Sequence, residues 1–191
     1  MPVFDLNKSE IREYLDEGAR VRSSVNADEL YEIGREIAER IAGGGKLIIF
    51  GNGGSAADSQ HIAAELQGVF EKNRKPLAAI ALTTNTSILT AIANDLGYDA
   101  VFARQLRGLA DESDVVIGLS TSGNAMSVLK ALEDANKIGC FTIALTGRSG
   151  GNLRGRVDRI VRVDSTRTSQ IQEVHIAIGH IWCLMVEDAI D

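Results

Sequence analysis

The sequence holds little of what stabilises small secreted or fibrous proteins. Its 191 residues include two cysteines, Cys140 and Cys183, each inside an apolar run (Gly139-Cys140-Phe141 and Trp182-Cys183-Leu184). Neither zinc-ligand spacing nor a disulfide framework is present, which points to a reducing compartment. Two prolines and no low-complexity tract exclude collagen, linker-rich arrays and disorder. Basic charge is not in surplus. Lys and Arg number 20 against 26 Asp and Glu, a formal net charge of -6, which argues against a chain held to nucleic acid by bulk charge but leaves room for a local cationic pocket. No stretch approaches the roughly 18 to 20 apolar residues of a membrane span. The first ten residues, Met1 to Glu10, lack the basic and apolar regions of a secretory signal. The expected setting is the cytoplasm, without membrane or nucleic-acid partners.

Aromatics are sparse, at 5%, whereas glycines number 19, which suits loops that bring backbone close to a ligand. A 45% hydrophobic content supplies the core of one domain of ordinary size. Ser9 to Arg22 reads as an amphipathic helix carrying Ile11, Tyr14, Leu15 and Val21. Asn26 is the expected N-cap of a second helix, with Glu29 three residues on. Its stripe is Leu30, Ile33, Ile37 and Ile41, and Gly43-Gly44-Gly45 stops it. From Lys46 the pattern changes to short continuous apolar runs, the mark of strands buried on both faces. They fall at Lys46–Phe50, Leu77–Leu82, Asp114–Leu119, Cys140–Leu145 and Arg159–Val163. Helical patterns separate them at about Ser55–Phe70, Ser87–Ala93, Asp99–Leu109 and Met126–Lys137, and Thr168–Ile190 ends the chain. Alternation of this kind predicts an α/β fold, a parallel sheet with helices on both faces. The expected organisation is one domain over residues 1–191, a helical pair at 1–44 followed by the α/β core and last helix at 45–191.

In open α/β sheets ligands collect where strands end and helices begin. Gly51-Asn52-Gly53-Gly54-Ser55 follows the first strand, Ser120-Thr121-Ser122-Gly123-Asn124 the third, and Thr146-Gly147-Arg148-Ser149-Gly150-Gly151 the fourth. Amides and hydroxyls at a helix start suit an anion. Neither of the first two loops is a Walker A or a Gly-x-Gly-x-x-Gly fingerprint. One such loop is equally well a plain turn. Two at equivalent ends of one sheet, with three adjacent hydroxyls in the second, favour a phosphate ester or polyol.

All three histidines fall on two helices. His61 and Glu65, four apart, lie about 40° from each other on one helix face. They are either a surface hydrogen-bonded pair, a shared metal site, or an acid and a base. The last helix carries Gln172, Glu173, His175 and His180 among apolar residues nearly all round, so it must be buried or pack on another subunit. His175 and His180 are about 140° apart and do not face one site. Gln172 and His180, about 80° apart, could converge on one ligand. Spacing alone does not choose between the two histidines.

Taken in order, Gly51-Asn52-Gly53-Gly54-Ser55, His61-x3-Glu65, Ala93-Asn94-Asp95-x2-Tyr98, Ser120-Thr121-Ser122-Gly123-Asn124 and Ile171-Gln172-Glu173-x-His175-x4-His180 resemble the phosphoheptose isomerases of the sugar isomerase (SIS) domain superfamily. The resemblance runs from the leading helices nearly to the C-terminus. It implies a flavodoxin-like three-layer sandwich and a homotetramer with active sites between subunits. It implies an enediol conversion of sedoheptulose 7-phosphate to D-glycero-D-manno-heptose 7-phosphate, which opens bacterial heptose synthesis for lipopolysaccharide and other conjugates. It further implies one divalent ion per subunit, usually zinc, at His61, Glu65, Gln172 and His180, which selects His180 over His175. Glu65 is then the expected base and His180 its proton-moving partner. Asn52, Gly53, Gly54, Asn94 and Asp95 would line the sugar, with Glu65 and Gln172. Ser55, Ser120, Thr121 and Ser122 would hold the phosphate.

Two positions depart from the family pattern. Ala125 stands where a serine near the phosphate is frequent, and Ser127 is the one nearby hydroxyl that could replace it. Gln170 stands where arginine is common, with a possible loss of anion binding. A second reading is a non-catalytic SIS protein that binds a replication initiator or senses a sugar phosphate. Such relatives lack a carboxylate at the position of Glu65 and a histidine at that of His180, and this chain has both.

Overall fold

The computed structural model describes residues 7–190, so residues 1–6 and 191 of the expected domain, including the start of the segment tested for a leader, lie outside the described residues. Helix α1 (Lys8–Ser23) opens on a capping box formed by Asn7 and Glu10, and α2 (Ala27–Ala42) on the expected Asn26 cap. Five strands follow, β1 (Leu47–Gly51), β2 (Ala79–Ala81), β3 (Val115–Ser120), β4 (Phe141–Gly147) and β5 (Arg159–Val163). Helix α3 (Gly54–Gln67) joins β1 to β2. Helices α4 (Thr86–Leu96) and α5 (Val101–Leu106) lead to β3, α6 (Met126–Ile138) joins β3 to β4, and α7 (Thr168–Ile190) closes the chain.

All strands are parallel, in the order β2-β1-β3-β4-β5. The apolar runs are continuous because both faces are covered, and the period of two sends alternate residues to two cores. Leu47, Ile49, Val115, Ile117, Ile143 and Leu145 pack with the stripe of α2 and with Ile62, Leu66, Ile178 and Trp182 of α3 and α7. Ile48, Phe50, Val116 and Ala144 pack with Phe102, Leu106, Val128 and Leu132 on the other side. The three-layer α/β arrangement is the one expected. Among the described residues no helix is long and apolar enough to cross a membrane.

Several boundaries differ from the pattern. Strand β2 keeps only three residues of the Leu77–Leu82 run, because as an edge strand it pairs with β1 alone. The helix expected over Asp99–Leu109 divides into a 3-10 turn at Tyr98–Ala100 and the short α5. After Leu106 the backbone tightens into three-residue turns, Gly108 N to Gln105 O and Leu109 N to Leu106 O. Helix α3 stops at Gln67 rather than Phe70, where Arg74 takes over the carbonyls of its last turn. The stripe of α1 is also only partly used. Val21 is buried, but Ile11 and Leu15 stay exposed, because only part of α1 rests on the rest of the chain.

Candidate active site

Two helices build the centre of the site, and glycines let them meet. Helices α3 and α7 lie side by side and in the same direction, with Gln172 over Gly54 and Gly179 over Ile62. A Cβ on Gly179 would stand 2.3 Å from Ile62 Cδ1, and one on Gly54 would stand 2.6 Å from Gln172 Nε2. A larger residue at either position would require the Gln172 amide or the Ile62 side chain to move. At the Gly179 end the close approach brings His180 of α7 against His61 of α3, with Nε2 to Nε2 at 3.4 Å. Glu65, one turn further along α3, sets Oε1 2.8 Å from His61 Nε2.

These three donors lie within 4.8 Å of one another. Two imidazoles and one carboxylate are the donor set of a divalent transition ion such as zinc. Tetrahedral zinc with bonds near 2.0–2.1 Å has ligand edges of about 3.3 Å, and the His61–His180 spacing of 3.4 Å matches that edge. The residues present therefore fit a metal.

Gln172 falls elsewhere. Its amide sits at Gly54, seven residues and about 10 Å of helix axis before His61, so within one chain the triad forms without it. His175, the histidine that spacing alone could not rule out, is fully buried beneath β4, with Nε2 3.3 Å from Thr146 O. Burial pushes its imidazole down to about 4, so it is neutral and donates from Nε2 to the carbonyl. It is a core residue.

The order of the strands makes β1 and β3 the place where chain connections diverge to opposite sides, which opens a crevice at their carboxyl ends. The two Gly/Ser loops flank this crevice. In the first, Asn52 is held from two sides: its Nδ2 donates to Ser127 Oγ at 3.0 Å and its Oδ1 accepts from Tyr98 OH at 2.8 Å. Ser55 is buried in the first turn of α3. In the second loop Ser120 is buried, Thr121 half-buried and Ser122 exposed. Gly123 has φ +69°, and a side chain there would strike Gly150 O, so this loop packs directly on the one after β4. Gly147 N donates to Thr121 O at 2.9 Å and Asn152 N to Asn124 Oδ1 at 3.0 Å. Beside the loop is a cleft of about 250 Å³ lined by Thr121, Ser122, Asn124, Arg148, Ser149 and Thr168, among others.

Asn94 and Asp95 are exposed on α4 and hydrogen-bonded to each other at 2.8 Å, one turn ahead of Tyr98. Ser127, the hydroxyl near Ala125, is buried in the first turn of α6, where its Oγ accepts from Asn52 Nδ2. Gln170 does not face a ligand either. It is fully buried, its Oε1 accepting from Ser165 Oγ at 3.1 Å and its Nε2 donating to Glu17 Oε2 at 2.9 Å. Two features near the site, the clamp on Asn52 and the buried carboxyl of Asp58, carry no sequence signal of their own. Ser127 and Tyr98 clamp Asn52, and only the place of Tyr98 in a family motif hinted at this. Asp58, one turn before His61, has a buried Oδ2 without a hydrogen-bond partner, and burial holds its carboxyl above the ordinary range against the opposing pull of His61.

A profile of the SIS domain matches residues 13–147. A probable phosphoheptose isomerase of Thermoplasma acidophilum is 56% identical over 177 residues, covering 93% of this chain and 97% of its own length. The chain belongs to the phosphoheptose isomerases of the SIS domain family. A phosphoheptose isomerase of Geobacter sulfurreducens is 57% identical over 151 residues, 79% of this chain and 80% of that one. Among solved structures, the Neisseria gonorrhoeae phosphoheptose isomerase superposes with a TM-score of 0.88 at 37% identity, covering 95% of this chain and 98% of the other. Membership makes the chain an aldose–ketose isomerase acting on a sugar phosphate, and the non-catalytic reading falls away.

Proposed function

We propose that this isomerase converts sedoheptulose 7-phosphate to D-glycero-D-manno-heptose 7-phosphate through an enediol, the first step of bacterial heptose synthesis. The observation that carries the reading is the convergence of Glu65, His61 and His180 at the α3–α7 seam, on the helix that opens at the Gly51–Ser55 loop. The names of the relatives supply the heptose. Ketose-to-aldose conversion needs a proton removed at C1 and one returned at C2, while charge develops on the carbonyl oxygen.

Glu65 is the base in this scheme. Its Oε1 is turned to His61, which leaves Oε2 to take the C1 proton and return it at C2. His180 moves protons at the O1 and O2 oxygens. Zinc, one ion per subunit, would be held by His61, Glu65 and His180, with Gln172 of the expected ligand set standing toward the sugar instead. A divalent ion held there would supply polarisation of a carbonyl. Three protein ligands are the number that catalytic zinc sites use while keeping one position open.

Ser55 and the Ser120–Ser122 loop bind the phosphate in this reading, and Arg148 across the cleft adds a cation. Asn52, Gly53 and Gly54, with Asn94 and Asp95, line the sugar chain. The clamp on Asn52 fixes its amide before substrate arrives, which lowers the ordering cost of binding. A homotetramer in the cytoplasm completes the proposal. It is supported by the apolar side chains left exposed on α1, α4 and α7, among them Ile11, Leu15, Ile88, Leu96 and Ile181, an area one chain leaves uncovered. Incubation of the zinc-loaded protein with sedoheptulose 7-phosphate, followed by NMR, tests the substrate. Appearance of the aldoheptose phosphate is expected, and its absence from folded, metal-loaded protein would overturn the assignment.

A further inference from the structure

The stretch from Gly68 to Ala78, between α3 and β2, has no regular structure yet is tied down at several points. Arg74 and Glu187 form an ion pair at 3.0 Å with side chains only 5% and 1% exposed. Arg74 also donates from Nη1 to Leu66 O and from Nη2 to Glu65 O, each at 2.9 Å. Those carbonyls belong to the last turn of α3, which a helix leaves without intrahelical partners. The second carboxylate oxygen of Glu187 accepts from the backbone N–H groups of Glu71 and Lys72, at 3.1 and 3.3 Å. The buried pair thus fastens this strap to the end of α3 and to α7 together.

Phe70 lies within the fastened segment. Its ring stacks on that of His180, centroids 5.5 Å apart and planes inclined by 26°. The rings of His180 and His61 meet edge-on, centroids 5.0 Å apart at 69°. A histidine ring is free to turn about its last torsion unless something flat lies against it. Here one face is held by Phe70 while Nε2 is directed at His61.

We propose that Phe70, locked in place by the Arg74–Glu187 pair, is the positioning residue for His180, setting its ring plane so that Nε2 faces His61 and Glu65. The inference rests on the proposed role of His180 in proton transfer, and deepens it by naming what orients the ring. An aliphatic side chain would fill the same space without defining a plane. Phe70 touches no reacting atom, so its effect belongs in turnover and not in substrate affinity.

The test compares Phe70→Leu and Phe70→Tyr with the parent protein. Phe70→Leu is expected to lower kcat by about 10- to 100-fold through misplacement of His180, with KM held. Phe70→Tyr restores kcat. Protein labelled at histidine ring carbons gives an independent reading, with His180→Gln identifying the His180 signal. Loss of the stacked aromatic ring moves the His180 ring signals downfield in Phe70→Leu and leaves those of His175 in place. Phe70→Tyr keeps them near their original positions. Full kcat in Phe70→Leu, a loss that tyrosine does not restore, or His180 signals that ignore the substitution would each overturn the proposal. If the parent protein turns over no heptose phosphate, the substrate assignment fails, and the ring signals still decide whether Phe70 orients His180.

Discussion

His180 and His61 come from helices that start 114 residues apart, at Thr168 and Gly54, and set their Nε2 atoms 3.4 Å apart. The same His61 nitrogen stands 2.8 Å from Glu65 Oε1. One ring nitrogen directed at both a carboxylate and a second imidazole is the arrangement that a shared cation satisfies, because all three lone pairs can then point inward. Without the cation, one proton has to serve competing neighbours.

Metal content follows from this relationship. Removal of divalent ions with a chelator should abolish turnover, and zinc should restore it. His61→Ala should bind at least about tenfold less zinc, in line with the loss seen when a site's coordination is weakened. Equilibrium dialysis with elemental analysis checks both, and unchanged metal content in His61→Ala would refute the ligand assignment.

Closeness of α3 and α7 is a second requirement. Gly179→Ala places a methyl 2.3 Å from Ile62 Cδ1, and Ile62 is itself buried. Overpacking of this kind costs about 1–3 kcal/mol. The variant should melt at lower temperature and, with His180 displaced from His61, hold zinc more weakly. A thermal melt unchanged from that of the parent would mean the helices have room that the geometry denies.

Ala125 is the N-cap of α6, in extended conformation and with no side-chain cap. Ala125→Ser should therefore stabilise the protein by about 1 kcal/mol through the missing cap. If the loop binds phosphate, the same hydroxyl should also lower KM by roughly 2- to 10-fold, the worth of one added hydrogen bond. Melting and steady-state kinetics separate the two effects: a higher melting temperature with unchanged KM would keep the cap and remove the phosphate contact.

His175 predicts an acid limb in stability. Its folded-state value of about 4 lies below the ordinary 6.5, so the unfolded chain takes up this proton first as pH falls. The associated stability is complete above pH 6.5 and is lost between 6.5 and 4, an amount of about 3 kcal/mol. Denaturant unfolding across that range should show the loss, and His175→Phe should flatten it. An equal pH dependence in the variant would place the acid sensitivity elsewhere.

Much of this was legible before any coordinates. Strand β5 and helix α7 fall where pattern placed them, because an apolar run between Arg159 and Val163 and a long apolar helix admit few other readings. His61 and Glu65 share a face by helical arithmetic alone. The partner of that pair was not legible from spacing, since choosing His180 over His175 depends on how α7 lies across α3. That is decided by Gly54 and Gly179, which carry no chemical signal of their own. The sequence offers no sign that Gln170 is buried between Ser165 and Glu17 or that Ser127 is held beside Asn52, because the contacts with Glu17 and Asn52 join segments far apart in the chain. Phe70 looked like the end of a helix, and only the Arg74 cap reveals that the chain turns there to cover His180.

The central claim is that Glu65 carries the proton between C1 and C2. Sedoheptulose 7-phosphate supplied to the zinc-loaded protein in deuterated buffer, beside Glu65→Gln and His180→Gln, tests it most directly. The parent should give aldoheptose phosphate, with deuterium at C2 to the extent that the proton held on Glu65 exchanges with solvent before its return. Each variant should be slower by about 10²- to 10⁴-fold, the usual contribution of a general acid–base group. Turnover by Glu65→Gln near that of the parent would contradict the account.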